Sequence, residues 1–275
     1  MEKLSQKSIK RGFDFKSFFR EWGLIFLILI IIAIASAKRP AFLSGSNLIN
    51  ILRSYSTIGI AALGMAYTVI AGGMDLSISS TVSLSAVLTM LVINATTVDR
   101  VSPDYASFAV LLIGIVVGAV VGCISGGILA AVNGRMGESF IITYAIQIIV
   151  AAVANAVVNG QFQSASYKSG LFKMLGSGVV PVLFFLVIAV IMQFILVKTA
   201  FGRNLYFLGA NMEAAKMAGI RTRRIRFAAH VICGICAGIA GVLVVARVNS
   251  ASIQQGLNYE MDAMACVAVG GTSLN

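Results

Sequence analysis

The sequence predicts an all-α fold, a polytopic integral membrane helical bundle, on three observations. Of 275 residues, 59 % are hydrophobic and only 11 % are charged, a balance that soluble domains do not reach. The apolar residues gather into long runs at 24–37, 47–71, 76–93, 108–132, 140–158, 179–197 and 227–246, about seven spans, with an incomplete last segment at 261–274. Apart from Arg53, the basic residues stand outside those runs. Lys and Arg number 21 against 10 Asp and Glu, a net charge of +11. In a soluble chain that excess would suggest nucleic acid; distributed in links between spans, it expresses topology, and no nucleic-acid partner is expected.

The arm 1–21 carries Lys3, Lys7, Lys10, Arg11, Lys16 and Arg20, interleaved with Phe13, Phe15, Phe18 and Phe19. This is the pattern of a cytoplasmic, basic, amphipathic arm lying on membrane lipid. The membrane-spanning body is expected over 22–275. Trp22 marks the interface, and the first span is expected as an uncleaved anchor despite the small-residue Ala35-Ser36-Ala37 stretch. The next run has a polar start at Arg53, Ser54, Ser56 and Thr57, leaving a clean stretch from Ile58 to Ala71. That stretch is about 21 Å as helix, short of a bilayer core of about 30 Å. It meets the following run at Gly72-Gly73-Met74-Asp75. So tight a junction predicts broken or re-entrant helices near 58–93, facing a cavity where irregular backbone is tolerated. Gly72, Gly73, Asp75 and Ser77 are the candidate residues there. Asp75 is read either as the cap of the helix that begins at Leu76 or as a polar group in the solute path.

Gly114, Gly118, Gly122 and Gly126 recur every fourth residue and form a flat face for close helix approach; Gly234 and Gly238 form another. Cys123, Cys233, Cys236 and Cys266 all lie in apolar runs, so Cys233-Gly-Ile-Cys236 is expected to pack rather than to bind metal or exchange disulfides. His230, the single histidine, is expected to be a structural hydrogen-bonder rather than a proton relay. No metal site is expected.

The most informative stretch lies within the polar link 198–226. Asn211 can cap a short helix, Glu213 places a negative charge in its first turn, and Gly219 can stop it in the left-handed conformation. Ala214, Ala215, Met217 and Ala218 lie between. Two turns of helix are not stable alone in water, so an exposed, alanine-rich one needs something to dock against.

Glu213-Ala214-Ala215 followed by Gly219-Ile220 resembles the coupling loop of ABC-importer permeases. With Gly209, Asn211 and Ala218 included, it is most similar to the branch that imports ribose, related sugars and the furanosyl autoinducer. Gly72-Gly73-Met74-Asp75-Leu76-Ser77 resembles that branch's Gly-Gly-Ile-Asp-Leu-Ser. Where the family has Ser-Val-Gly-Ser, this chain has Ser77-Ile78-Ser79-Ser80. Phe140-Ile141-Ile142-Thr143 and Asn159-Gly160 resemble the family's pairs at the two ends of one helix. Gly270-Gly271-Thr272-Ser273-Leu274 resembles a segment that in the family continues into further helices, which implies a chain truncated at its C-terminus. The resemblance implies a bacterial cytoplasmic (inner) membrane protein. It implies three partners: a cytoplasmic ATPase subunit, an extracytoplasmic solute-binding protein, and a second permease copy or homologous permease. It makes Gly209, Asn211, Glu213, Ala214, Ala215 and Gly219 the ATPase-coupling residues.

Orientation follows from charge. With the N-terminus cytoplasmic, the arm's basic residues, Arg135, Lys198, Arg203, Lys216, Arg221, Arg223, Arg224 and Arg226 all fall inside. Only Lys38, Arg39, Arg100, Lys168, Lys173 and Arg247 fall outside, as the positive-inside rule requires. No GxxxxGK[ST] phosphate loop occurs, so no cofactor is expected in this chain, and ATP and magnesium would belong to the partner. The expected function is a non-enzymatic permease subunit passing a sugar-like solute from the binding protein to the cytoplasm. The competing readings are an ion-coupled secondary transporter, for which Asp75 is the one good candidate acid, and a membrane assembly factor built on the glycine faces.

Overall fold

A computed structural model describes residues 15–99, 101–132, 136–165, 167 and 169–272. The expectations for residues 1–14, Arg100, Arg135, Lys168, Ser273 and Leu274 lie outside these. The described residues fold as α1 (Phe15–Lys38), α2 (Gly45–Ile70), α3 (Ile78–Thr96), α4 (Asp104–Val132), α5 (Met136–Val158), α6 (Leu171–Leu175), α7 (Val180–Lys198), α8 (Ala200–Ala210), α9 (Met212–Met217), α10 (Thr222–Val248) and α11 (Tyr259–Val269). Among the described residues α2, α3, α4, α5, α7 and α10 are long and apolar enough to cross a membrane, and Ile25–Lys38 is a shorter apolar helix. The architecture is an all-α, polytopic membrane helical bundle.

The described residues form two compact units, divided between Asn50 and Ile51. In the first, α1 ends in a short 3-10 turn at Pro40–Leu43. There Asn47 Nδ2 donates to the Phe42 carbonyl at 2.7 Å and Ser44 Oγ to that of Ala41 at 2.7 Å, closing the bend into α2.

The second unit is organised around α3 and α10. Over their most apolar windows, 72 % of α3 and 67 % of α10 are buried, against 11 % of α7. The first two are therefore core helices, whereas α7 leaves Leu186, Val190, Phe194 and Val197 for lipid. The α4 glycines meet α10 backbone directly. A Cβ on Gly118 would collide with the Gly234 carbonyl, one on Gly122 with that of His230, and one on Gly126 with that of Phe227. The contact is reciprocal: a Cβ on Gly234 would strike the Gly118 carbonyl and one on Gly238 that of Gly114. On its other side α10 meets α3 at Gly241, beside Val82 and Ser85, and Ser85 Oγ donates to the Gly238 carbonyl at 2.7 Å. Gly64 of α2 lies against Cys233 and Cys236, both buried and neither disulfide-bonded.

Four two-residue strands tie the loops beside the C-terminal end of α10. β1 (Val101–Ser102) runs parallel to β3 (Ser169–Gly170), with Val101 opposite Ser169. β2 (Gln163–Ser164) runs antiparallel to β4 (Ser250–Ala251), with Gln163 opposite Ala251. Tyr167 adds a side-chain clasp: its hydroxyl donates to Asn249 Oδ1 at 2.8 Å and its ring meets Phe172 edge-on. Burial pushes its phenol pKa well above the ordinary value.

Three boundaries differ from the sequence reading. The polar start of the second run is helical, and α2 continues unbroken through Arg53 to Ile70. Its hydroxyls bond back into their own turn, Ser56 Oγ to the Arg53 carbonyl and Thr57 Oγ1 to that of Ser54, which lets polar residues stay in a buried helix. The link 198–226 is mostly helix rather than loop. Thr199 Oγ1 accepts from the Gly202 N–H to start α8, whose buried Leu205 and Leu208 pack into the core. Finally, α4 and α5 each begin about one turn earlier than the apolar runs, with Asp104 and Glu138 in their first turns.

The glycine contacts predict a position-specific outcome within α4. Gly118→Val should lower the thermal midpoint of the detergent-solubilised protein, costing at least about 1–3 kcal/mol by overpacking. Gly127→Val, on the same helix with open space around it, should leave the midpoint nearly unchanged. Equal effects from the two would contradict the packing described here.

Candidate functional site

The helix α9 is closed at both ends by its own residues. Asn211 Oδ1 accepts from the N–H groups of Glu213 and Ala214, each at 3.0 Å. At the other end the Ile220 N–H donates to the Ala215 carbonyl and the Gly219 N–H to that of Lys216, with Gly219 at φ +77°. This is a Schellman closure, which needs a left-handed residue after the helix. Glu213 and Lys216 pair at 3.0 Å on the exposed surface, worth only about 0.3–0.5 kcal/mol. Ala215 is buried, whereas Met217 is 85 % exposed and Ala214 and Ala218 are exposed beside it. The helix therefore rests on Ala215 and the partly buried Met212, and presents an apolar knob to the outside. Its first residue, Met212, is held from α10: Arg226, itself 5 % exposed, donates from Nη2 to the Met212 sulfur at 3.6 Å. The Glu138 carboxylate of α5 acts on the same guanidinium.

The break between α2 and α3 runs from Ala71 to Ser77. Gly72, at φ +76°, turns the chain, and the Gly73 N–H returns to the Thr68 carbonyl at 2.9 Å. Leu76 N–H donates to Thr143 Oγ1 at 3.1 Å, so α5 supplies a partner that the interrupted helix lacks. A Cβ on Gly73 would come within 2.9 Å of Ser139 Oγ, one turn earlier on α5. Asp75 is 1 % exposed. Its Oδ1 accepts from both the N–H and the hydroxyl of Ser77, and the helix begins at Ile78. Asp75 thus makes a cap-type bond, to the N–H two residues on, at the turn that leads into α3, whose regular helix starts two residues later than Leu76.

The two candidate groups meet at one place. Gly209, at the end of α8, sits so close to α2 that a Cβ would collide with the Ile70 carbonyl, and its Cα lies 3.9 Å from the Cβ position of Gly72. A cleft of about 310 Å³ on one side is lined by Ala71, Gly72, Met136, Gly209, Met212 and Arg226, among others. A second cleft, of about 530 Å³, is lined by Ile70, Gly72, Tyr206, Gly209, Gly270 and Gly271, among others. The packing glycines 114, 118, 122, 126, 234 and 238 lie elsewhere, along the α4–α10 crossing.

Sequence reasoning passed over several residues in this region. Gly256 is pressed onto α3, where a Cβ would strike the Ser79 carbonyl, and its N–H donates to Ser83 Oγ at 3.0 Å. Close backbone contact at Ser79, where the resembling family has glycine, is supplied by glycine on the opposing segment. Gln147 Nε2 then donates to Ser79 Oγ at 2.8 Å, using the hydroxyl that replaces that glycine. Asn249 and Asn258, at φ +57° and +68°, bracket the segment, and paired asparagines were the signal that it turns sharply. It returns to the core at Tyr259, whose hydroxyl lies 3.0 Å from Thr57 Oγ1. His230 is fully buried, with Nδ1 3.0 Å from the Arg226 carbonyl. Among the described residues no three His, Cys, Asp or Glu side chains gather into a metal-binding group.

Removing the cap amide isolates its role. Asn211→Ala should destabilise α9 by about 1 kcal/mol. Amide hydrogen exchange should then rise at Glu213 and Ala214, while amides of α10 stay protected.

The family described as "Branched-chain amino acid transport system / permease component" matches residues 47–275. The ribose import permease protein RbsC of Escherichia coli K12 is 31 % identical over 271 residues, covering 96 % of this chain and 81 % of that protein. RbsC of Bacillus subtilis is 32 % identical over 271 residues, covering 97 % and 81 %. The galactose/methyl galactoside import permease protein MglC of E. coli K12 is 32 % identical over 293 residues, covering 100 % and 83 %. No solved structure matches the chain. With a bundle of membrane-spanning helices and a family match over most of its length, this chain is a multi-pass membrane protein that belongs to that family of transport permease components.

Proposed function

We propose that this chain is the membrane subunit of an ATP-driven importer that passes a sugar or sugar-like solute into a bacterial cytoplasm. The observation that carries the reading is α9: a two-turn helix, sealed at both ends, that presents exposed Met217 beside a small alanine surface. Such a helix is built to be gripped, and the sequence contains no phosphate loop of its own. The ATPase would be a separate cytoplasmic subunit holding ATP and magnesium, and solute would arrive from an extracytoplasmic binding protein. A second copy of this chain, or a homologous permease, would complete the pathway, with lipid around the exposed faces of α5 and α7. The N-terminus and the 198–226 segment would face the cytoplasm of a cell whose inner membrane holds the complex.

The family description names branched-chain amino acids, whereas the relatives quoted above transport ribose and galactose and cover nearly the whole chain. Similarity of that extent favours a sugar. The coupling route would run from α9 through α8 to the break at 71–77, because Gly209 and Ile70 are in direct contact.

Uptake into proteoliposomes tests this, using the permease with its cognate ATPase and binding protein. Labelled ribose or galactose should accumulate only with ATP, and leucine should not accumulate. Glu213→Lys should reduce solute-stimulated ATP hydrolysis by at least about tenfold, the scale of a typical coupling free energy, without unfolding the bundle. Uptake that follows an ion gradient in the absence of ATP would overturn the proposal.

A further inference from the structure

Beside α9 lies a cleft of about 480 Å³ lined by Lys216, Ile220, Arg221, Thr222, Arg223 and Arg224. Every charged side chain lining it is cationic. Arg221, Arg223 and Arg224 are exposed, Thr222 forms the buried floor, and Ile220 is half-buried at one wall. The cleft also opens at the N-terminus of the 27-residue helix α10, whose dipole adds positive potential. Lys216 belongs both to this cleft and to α9, so whatever grips the α9 knob also lies against the cleft.

We infer that the subunit docking on α9 inserts a carboxylate-bearing segment into this cleft, so that the contact interlocks in both directions. The inference rests on the docking reading above and adds the chemistry of the partner's surface. Met217 would enter an apolar groove in the partner, and an acidic projection at the groove's rim would enter the arginine cleft. Arginine suits this role because its planar guanidinium meets a carboxylate through two parallel hydrogen bonds. Charges at a rim act chiefly on encounter rate and on the choice of partner, and salt weakens them over a screening length of about 8 Å at physiological ionic strength. The apolar knob would then hold the contact while the cationic cleft fixes its register.

The test uses the full chain in nanodiscs with the purified cognate ATPase subunit. Arg221→Lys keeps the charge and supplies an amine that a zero-length carbodiimide can join only to a carboxylate in contact with it. The expected result is a cross-link from position 221 to an Asp or Glu of the ATPase, mapped by mass spectrometry. The double variant Arg221→Glu, Arg224→Glu should weaken ATPase binding by at least about tenfold and flatten its salt dependence. Replacing the cross-linked carboxylate by Arg should restore binding.

Absence of any cross-link while the ATPase stays bound would overturn the inference, even if the double variant failed to fold. So would unchanged affinity of a folded double variant. A loss of binding seen only with anionic lipid in the nanodisc, and not with phosphatidylcholine alone, would assign the cleft to lipid headgroups instead. Met217→Asp separates the two levels. If it abolishes binding while the double variant does not, only the acidic projection falls; if neither changes binding, the docking reading falls with it.

Discussion

The structure depends on backbone meeting backbone where α4 crosses α10. In a bilayer, lipid tails are as apolar as leucine, so burying apolar side chains against each other gains little over leaving them in lipid. What favours association is closeness: many dispersion contacts and polar groups brought within reach. Gly114 and Gly118 lie against Gly238 and Gly234, and Gly122 and Gly126 against the His230 and Phe227 carbonyls, so that main chain approaches main chain along the seam. That seam fixes α10, and α10 in turn positions α3 through Gly241 and the Ser85 hydrogen bond. The Arg226 contact that holds α9 also projects from α10. The geometry of the candidate site is thus set some distance away, by residues that have almost no chemistry of their own.

A second constraint follows from the first. Helices packed this tightly exclude water, so any interrupted backbone inside the bundle must find its partners in protein. The break at 71–77 does so with unlike groups: a backbone carbonyl from Thr68, the hydroxyl of Thr143, and the carboxylate of Asp75 accepting from Ser77 ahead of it. The segment 249–258 solves the same problem from the other side, with Ser83 receiving the Gly256 N–H. The abundance of Ser and Thr on α3, with Thr143 of α5 beside it, is this supply of short, buried hydrogen-bonding groups, several of which also bond into their own helical turn.

The parts legible in sequence were those governed by local or one-dimensional rules. The fold class followed from the long apolar runs. The ends of α9 followed from Asn211 and Gly219, because caps and left-handed stops are decided within a few residues. The interruption after Ile70 followed from Gly72-Gly73 and the acid behind it. The rest was hidden because it depends on residues far apart in the chain. Nothing near Leu76 indicates that Thr143 will complete its hydrogen bond, and nothing near Ser79 indicates that Gly256 will lie against it. The helix α8 escaped notice for a different reason: its apolar positions Phe201, Leu205 and Leu208 are too few to form an apolar run, yet at helical spacing they suffice to bury one face.

The contact of Gly209 on the Ile70 carbonyl has a mechanical consequence. Most neighbouring helices touch through side chains, which can change rotamer and take up a displacement of an ångström or so. Here two main chains abut with nothing compressible in between. A push arriving along α8 has no cushion in which to dissipate, and must either shift the end of α2 bodily or be resisted by the entire bundle.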